Sequence, residues 1–252
     1  MALLGDIVKD LDELLSTQQF KDYCPNGLQV EGSSEINKIV SGVTASLALI
    51  DQAVNENADA LLVHHGFFWR GESPEIVGYK KQRIAKLIKN DISLLAYHLP
   101  LDAHAKYGNN VQLAKMLGLS VMGAFGPEKS PIGILAELPT SESSEKFFSR
   151  IEKALFRTPV HLAKKQSKNL AVIAICTGAA QNYFESAIAA GADAFVTGEV
   201  SEQTYHLAME SGVDFFAAGH HATERYGVQA LGSYLADKFS IAHIYQEIKN
   251  PI

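Results

Sequence analysis

Cysteine is scarce in this chain, with Cys24 and Cys176 standing far apart in 252 residues. That count and spacing exclude a disulfide framework and a cysteine-built zinc site. Two reduced, buried thiols are the expectation. Positive charge is not in excess. Lys and Arg number 22 against 28 Asp and Glu, a net charge of −6. A generic nucleic-acid coat, which relies on clustered cations, is thereby disfavoured. No apolar run approaches the roughly 18 residues that cross a bilayer. The opening segment places Leu4, Ile7, Val8, Leu11 and Leu15 at helical spacing among acids. It lacks the basic start and unbroken apolar stretch of a secretion signal. A cytoplasmic protein with no membrane segment is expected. Also missing are a Walker A loop, a GxGxxG fingerprint and a GxSxG elbow.

What is present is a core and a repeat. Apolar residues make up 47% of the chain, ample for one large domain or two smaller ones. ADALLVHHG (Ala58 to Gly66) and SLLAYHLPLD (Ser93 to Asp102) in the first half match ADAFVTGE (Ala192 to Glu199) and FFAAGHHATE (Phe215 to Glu224) in the second. Around them, strand-like and helix-like segments alternate. Lys38 to Val43, Leu47 to Asn57 and Ala60 to Val63 correspond to Leu170 to Cys176, Ala180 to Ala190 and Ala194 to Thr197. The offset is 134 residues over this block and 122 beyond it. The first copy therefore carries an extra loop after His65, in Gly66 to Lys80. Each copy continues with Tyr-Gly and a helix containing Val-Gln, in Tyr107 to Leu117 and Tyr226 to Ala236. The pattern predicts an α/β protein of two related halves from an internal duplication. The predicted divisions are 1–119, a connecting segment 120–169 with no large inserted domain, and 170–252. In the connector, Gly133 to Leu138 reads as a strand and Glu142 to Leu155 as a helix. Lys164, Lys165 and Lys168 read as a solvated basic loop.

Both copies close on a His-x-x-x-carboxylate pair, His98 with Asp102 and His220 with Glu224. The doublet His64-His65 adds imidazoles at a third strand end, and Glu199 stands at a fourth. Ligands of open α/β sheets bind beyond the carboxyl ends of the strands, which is where these residues fall. Imidazole with carboxylate suits Zn, Mn, Fe, Co or Ni. Two carboxylates favour a pair of ions that activate a water and clamp a substrate oxygen. Alternatives stand beside this reading. His220 and Glu224 at i, i+4 also make an ordinary helical ion pair. His98 reads equally as a ligand or as a hydrogen-bond partner of one. His221 reads as a support or substrate contact, and His206 as a core residue that could face the same cleft. His104, His161 and His243 read as structural or surface. Glu199 occupies the position of His65 in the repeat and is the candidate general base.

PNGLQVEG (Pro25 to Gly32), LLVHHGFFW (Leu61 to Trp69), HLPLDAH (His98 to His104), VTGE (Val196 to Glu199) and GHHATERYG (Gly219 to Gly227) together resemble the NIF-three-like family. The resemblance is to its bacterial YbgI-type members, called GTP cyclohydrolase 1 type 2 homologues. It implies two intertwined α/β halves with a dinuclear metal site in the cleft between them. It carries the ligand set onto His64, His65, Asp102, His220 and Glu224, with two divalent metal ions per subunit. It also implies a homohexamer, a toroidal trimer of dimers. The expected function is a metal-dependent hydrolase of a small nucleotide-like or other C–N or phosphoester substrate. The alternative is a metal-dependent regulatory or DNA-associated ring without catalysis, for which Lys80, Lys81 and the Lys164–Lys168 loop are the cations to inspect.

Overall fold

The computed structural model describes residues 1–126, 131–164 and 169–252. In chain order the elements are β1 (Ala2–Leu3), α1 (Leu4–Leu15), β2 (Gly27–Val30), β3 (Glu35–Ile36), β4 (Lys38–Thr44), α2 (Leu47–Asn55), β5 (Ala60–His65), α3 (Gly78–Lys89), β6 (Ser93–Ala96), α4 (Leu99–Asp102) and α5 (Asn109–Met116). There follow β7 (Ser120–Phe125), β8 (Gly133–Glu142), α6 (Ser144–Leu155), β9 (Val160–Leu162), β10 (Leu170–Ile175), α7 (Phe184–Ala189), β11 (Ala194–Thr197), α8 (Glu202–Ser211), β12 (Asp214–Ala217), α9 (His220–Thr223), α10 (Arg225–Phe239) and β13 (Ala242–Tyr245).

These elements form two compact units of mixed α/β structure. Unit 1 is Met1–Tyr107 with Gly227–Lys249, and unit 2 is Gly108–Tyr226 with Asn250–Ile252. The partition differs from the continuous divisions at 119 and 169 because two helices cross over. α5 follows the first strands in sequence yet buries Leu113 and Ala114 in the core of unit 2. α10 follows the later strands yet buries Val228, Leu231 and Leu235 in the core of unit 1. The 120–169 segment supplies β7, β8 and β9 to the sheet of unit 2.

The unit 1 sheet runs β13-β4-β5-β6-β2, parallel except for β2 at one edge. Its central strands are covered on both faces, so they read as unbroken apolar runs. Ile39, Ala60, Leu62 and Leu95 pack with α1 and α10 on one face. Val40, Leu61, Val63 and Leu94 pack with α2 and α3 on the other. The period of two in the strand sorts these side chains between the faces. The unit 2 sheet runs β7-β8-β10-β11-β12-β9, with β10, β11 and β12 parallel. Ile173, Ile175, Val196 and Phe216 pack with α5 and α6, while Ala174, Phe195 and Phe215 pack with α7 and α8.

The Ala-Asp-Ala tripeptides have the same task in each sheet. Asp59 Oδ2 accepts the Asn37 and Lys38 backbone N–H groups at 2.7 and 3.0 Å. Asp193 Oδ2 accepts those of Ala171 and Val172 at 2.9 and 3.0 Å. Each aspartate thus ties the turn before one strand to the start of its parallel neighbour. Among the described residues no helix is long and apolar enough to cross a membrane.

Candidate metal centre

In unit 1 the parallel register sets Val63 beside Ala96, so the ends of β5 and β6 lie together. β5 runs into the doublet itself. His64 is fully buried. Its Nδ1 donates to the Tyr97 carbonyl at 2.9 Å, because a carbonyl can only accept. Its Nε2 lies 3.5 Å from Asp102 Oδ1. The His65 Nδ1 is 3.3 Å from the Thr44 hydroxyl, its neighbour across the β4–β5 ladder. The rings of His64, His65 and His98 have centroids 4.6 to 5.7 Å apart, and a ligand atom from each falls within 4.8 Å of the others.

A carboxylate that sequence reasoning missed orients His98. Its Nδ1 donates to Asp22 Oδ1 at 2.7 Å. The second Asp22 oxygen accepts the Leu99 N–H and the Asn26 amide, both at 2.9 Å. Asn26 Oδ1 accepts the His98 N–H at 2.7 Å. Burial raises the Asp22 pKa, but the hydrogen bonds from His98, Asn26 and the Tyr23 N–H outweigh it and hold the carboxyl at about 2. Trp69 stands against this cluster, 5.0 Å from the His98 ring and 5.7 Å from His65. Gln29 fixes the segment leading to Trp69 by accepting the Phe67 N–H at 2.6 Å and donating to its carbonyl at 3.2 Å. The intervening Phe68 has φ 65°, in the left-handed region that bulky residues avoid.

In unit 2, β11 leads to Glu199 and β12 leads through Gly219 to α9 and Glu224. His220 sits between two carboxylates. Its Nδ1 donates to Glu199 Oε1 at 2.6 Å, and its Nε2 is 3.1 Å from Glu224 Oε2. Burial lowers the proton affinity of His220, yet the two carboxylates prevail and lift its pKa to about 9. Glu224 is itself buried. It packs against Gly178, whose φ is +70°; a Cβ there would lie 2.1 Å from Glu224 Oε1 and 3.3 Å from His220 Nε2. Only glycine leaves that space open.

A divalent cation suits these donors. Histidines that ligate metals hand their second N–H to a carbonyl or carboxylate. His64, His98 and His220 do so through Nδ1, so a metal would meet Nε2. The carboxylates of Asp102 and Glu224 lie beside two of those Nε2 atoms. The expected ligands are therefore brought together as His64, His65 and Asp102 in unit 1 and as His220 and Glu224 in unit 2. Glu199, expected as a general base, has its carboxylate on the far nitrogen of His220. His206 is exposed and paired with Glu202. His161 is stacked on Phe216 and bonded to Asp214, and His243 meets the Ser41 hydroxyl. His104 Nδ1 accepts the Lys106 and Tyr107 N–H groups, and His221 is buried. Lys80 is buried against the Ser73 carbonyl and Glu72. Lys165 and Lys168 lie outside the described residues.

The family model described as Duf34/NIF3 (NGG1p interacting factor 3) matches residues 2–251. The chain belongs to the DUF34/NIF3 family. Its resemblance to that family, read from the five sequence motifs, is borne out. A GTP cyclohydrolase 1 type 2 homolog of Pseudomonas aeruginosa is 53% identical over 249 residues, 98% of each chain. A protein of the same name from Escherichia coli is 48% identical over 96% of each. Among solved structures, one described as protein ybgI, of unknown function, superposes with a TM-score of 0.96 at 45% identity, covering both chains completely. TTHA1606 from Thermus thermophilus superposes with a TM-score of 0.86 at 31% identity, again over both whole chains. The DUF34/NIF3 fold is thus shared from end to end.

Proposed function

We propose that this DUF34/NIF3 protein is a metal-dependent hydrolase with a dinuclear centre, for which His64, His65, Asp102, His220 and Glu224 are the ligands. The observation that carries the reading is the hydrogen bonding of the imidazoles. Three Nδ1 atoms, those of His64, His98 and His220, face acceptor-only partners, which leaves Nε2 of the two proposed ligands among them, His64 and His220, for a cation. Two bound divalent ions would supply Lewis acidity and lower the pKa of water. The chain's own residues do the rest. Asp22 and Asn26 hold His98 at the edge of the cluster. Glu199 orients His220 and accepts its Nδ1 proton. Trp69 and the segment pinned by Gln29 wall off the histidines of unit 1 from water. The names of the relatives make a nucleotide the first substrate to try, within a wider class of C–N and phosphoester bonds.

The single tryptophan gives a direct test. Titration of metal-stripped protein with Co²⁺ should quench Trp69 fluorescence, with two ions bound per chain by elemental analysis. His64→Ala should abolish the quenching. The loaded protein should then turn over a member of a panel of nucleotides, phosphoesters and cyclic amides. Two tightly held ions with no turnover anywhere in the panel would instead favour a binding ring. No uptake of metal would sink both readings.

A further inference from the structure

Two arginines of unit 2, one on α6 and one just past it, are treated differently by the fold. Arg150 lays its fork on Glu142, Nε on Oε1 and Nη2 on Oε2, each at 2.8 Å. Arg157 has no carboxylate partner among the described residues. Its Nη1 donates to the Pro251 carbonyl, and its Nε is buried with no acceptor. The Arg157 backbone N–H donates to the Glu152 carbonyl at 3.3 Å, but the Glu152 carboxylate takes the Thr158 hydroxyl instead. A buried N–H left unmade is costly, and more so on a charged group. Such a group calls for an explanation by its surroundings.

Those surroundings are the carboxyl end of the unit 2 sheet. Phe156 turns the chain out of α6 through the left-handed region, at φ 54°. Arg157 follows, and β9 then runs antiparallel to β12 with Val160 opposite Ala217. The residues just before β9 therefore lie beyond the end of β12, where Gly219 and His220 also lie. The guanidinium packs on Gly219 so closely that a Cβ there would fall 2.6 Å from Nε and 3.1 Å from Cζ. With φ +97°, Gly219 also holds a conformation that other residues rarely adopt. A guanidinium without a counter-charge thus rests against the residue that precedes a proposed metal ligand.

A guanidinium fork matches carboxylate and phosphate oxygens through two parallel N–H bonds. With Nη1 held by Pro251, the Nε–Nη2 edge is the fork that remains. A carboxylate of the chain would have closed it, as Glu142 closes that of Arg150. We propose that Arg157 binds a phosphate group of the substrate beside His220. The inference rests on the hydrolase reading and narrows it: nucleotides and phosphoesters remain as substrates, and neutral cyclic amides drop out. Arg157 contributes a fixed positive charge and two directed donors. It selects for the phosphate and orients it, without itself ligating a metal.

Inorganic phosphate is the probe, titrated into the full chain with and without Co²⁺ and followed by phosphorus NMR. Wild type should bind it in both forms. Arg157→Gln should lose about tenfold to a hundredfold in affinity in both. Arg157→Lys, which keeps the charge but not the fork, should lose less. Co²⁺ uptake, read by Trp69 quenching, should be the same in all three proteins. Uptake of Co²⁺ without Arg157-dependent phosphate binding overturns the inference and leaves the hydrolase reading standing. No uptake sinks that reading, and the metal-free titration still decides the role of Arg157. A measurement on wild type alone covers the case of a variant that does not fold. Saturating phosphate should slow phenylglyoxal modification of Arg157, read by peptide mass, but not that of Arg83, which lies over the Tyr79 ring in unit 1. Equal rates at Arg157 with and without phosphate, or unaltered affinity in Arg157→Gln, would overturn the proposal.

Discussion

Glu199 and Asp22 do the same work in different units: each carboxylate fixes the Nδ1 of a histidine in a donor cluster. Supporting groups of this kind typically contribute 10–100-fold in metal affinity. Glu199→Gln keeps an acceptor oxygen but loses the charge. It should weaken Co²⁺ binding by about that factor in a chelator competition, a loss read separately from any change in the urea-unfolding stability of the metal-free protein. Glu224→Gln, which changes a proposed ligand, should weaken binding further. If Glu199→Gln left metal affinity intact while turnover disappeared, Glu199 would be a proton-transfer group and not a positioning residue. Asp22 also makes a pH prediction. Its carboxyl is held at about 2, below its ordinary 3.8. A depressed carboxylate stabilises the fold fully above its unfolded pKa and loses that contribution as pH falls through the folded one. The stability gap between wild type and Asp22→Asn should be constant at neutral pH. It should close between about pH 4 and pH 2 in acid-denaturation curves. The expected ligands were legible because His-x-x-x-carboxylate recurs at matching places. Asp22 was not, since 76 residues separate it from His98 and no periodicity marks it. Only the folded hydrogen bonds show its role.

At the scale of elements, what the sequence revealed depended on burial. β4, β5, β10 and β11 are covered on both faces, and their largely apolar runs place them within a residue or two. β5 ends later than expected because His64 and His65 continue the ladder. β7 was missed because its first five residues are all exposed and show no alternation. β13 was missed because it is short and only half-buried. The crossing of α5 and α10 between units was not legible either. An amphipathic helix shows which of its faces is apolar, not which core that face will join. The Ala-Asp-Ala turns were visible as a repeat without a reason, and their hydrogen bonds now supply one. Asp193→Ala removes the acceptor for two backbone N–H groups at the start of β10. Leaving a buried donor unmade costs about 1–3 kcal/mol. Urea unfolding should show a loss in that range. The same loss from Asp59→Ala would mean that the two turns are energetically equivalent as well as geometrically alike.

At the scale of the whole molecule, the proposed dinuclear centre makes a claim about coupling among its ligands. A ligand that binds only the folded state stabilises it by RT ln(1 + [L]/Kd), about 2.7 kcal/mol at a hundredfold excess over Kd. For a chain of this size each kcal/mol moves Tm by roughly 2–4 °C, so saturating Co²⁺ should raise Tm by about 5–10 °C, reversibly with chelator. The location of the effect decides between two arrangements. If two ions bound at independent sites, His220→Ala would leave the response carried by His64, His65 and Asp102 in place, and His64→Ala would leave that carried by His220 and Glu224. If the donors serve one centre, either substitution alone removes most of the shift. The double variant then adds little, because the first change has already broken the shared site. Calorimetry of the four proteins with and without Co²⁺ separates these outcomes. Additive losses would dissolve the shared centre into two independent sites, and the case for a two-metal hydrolase would fall with it.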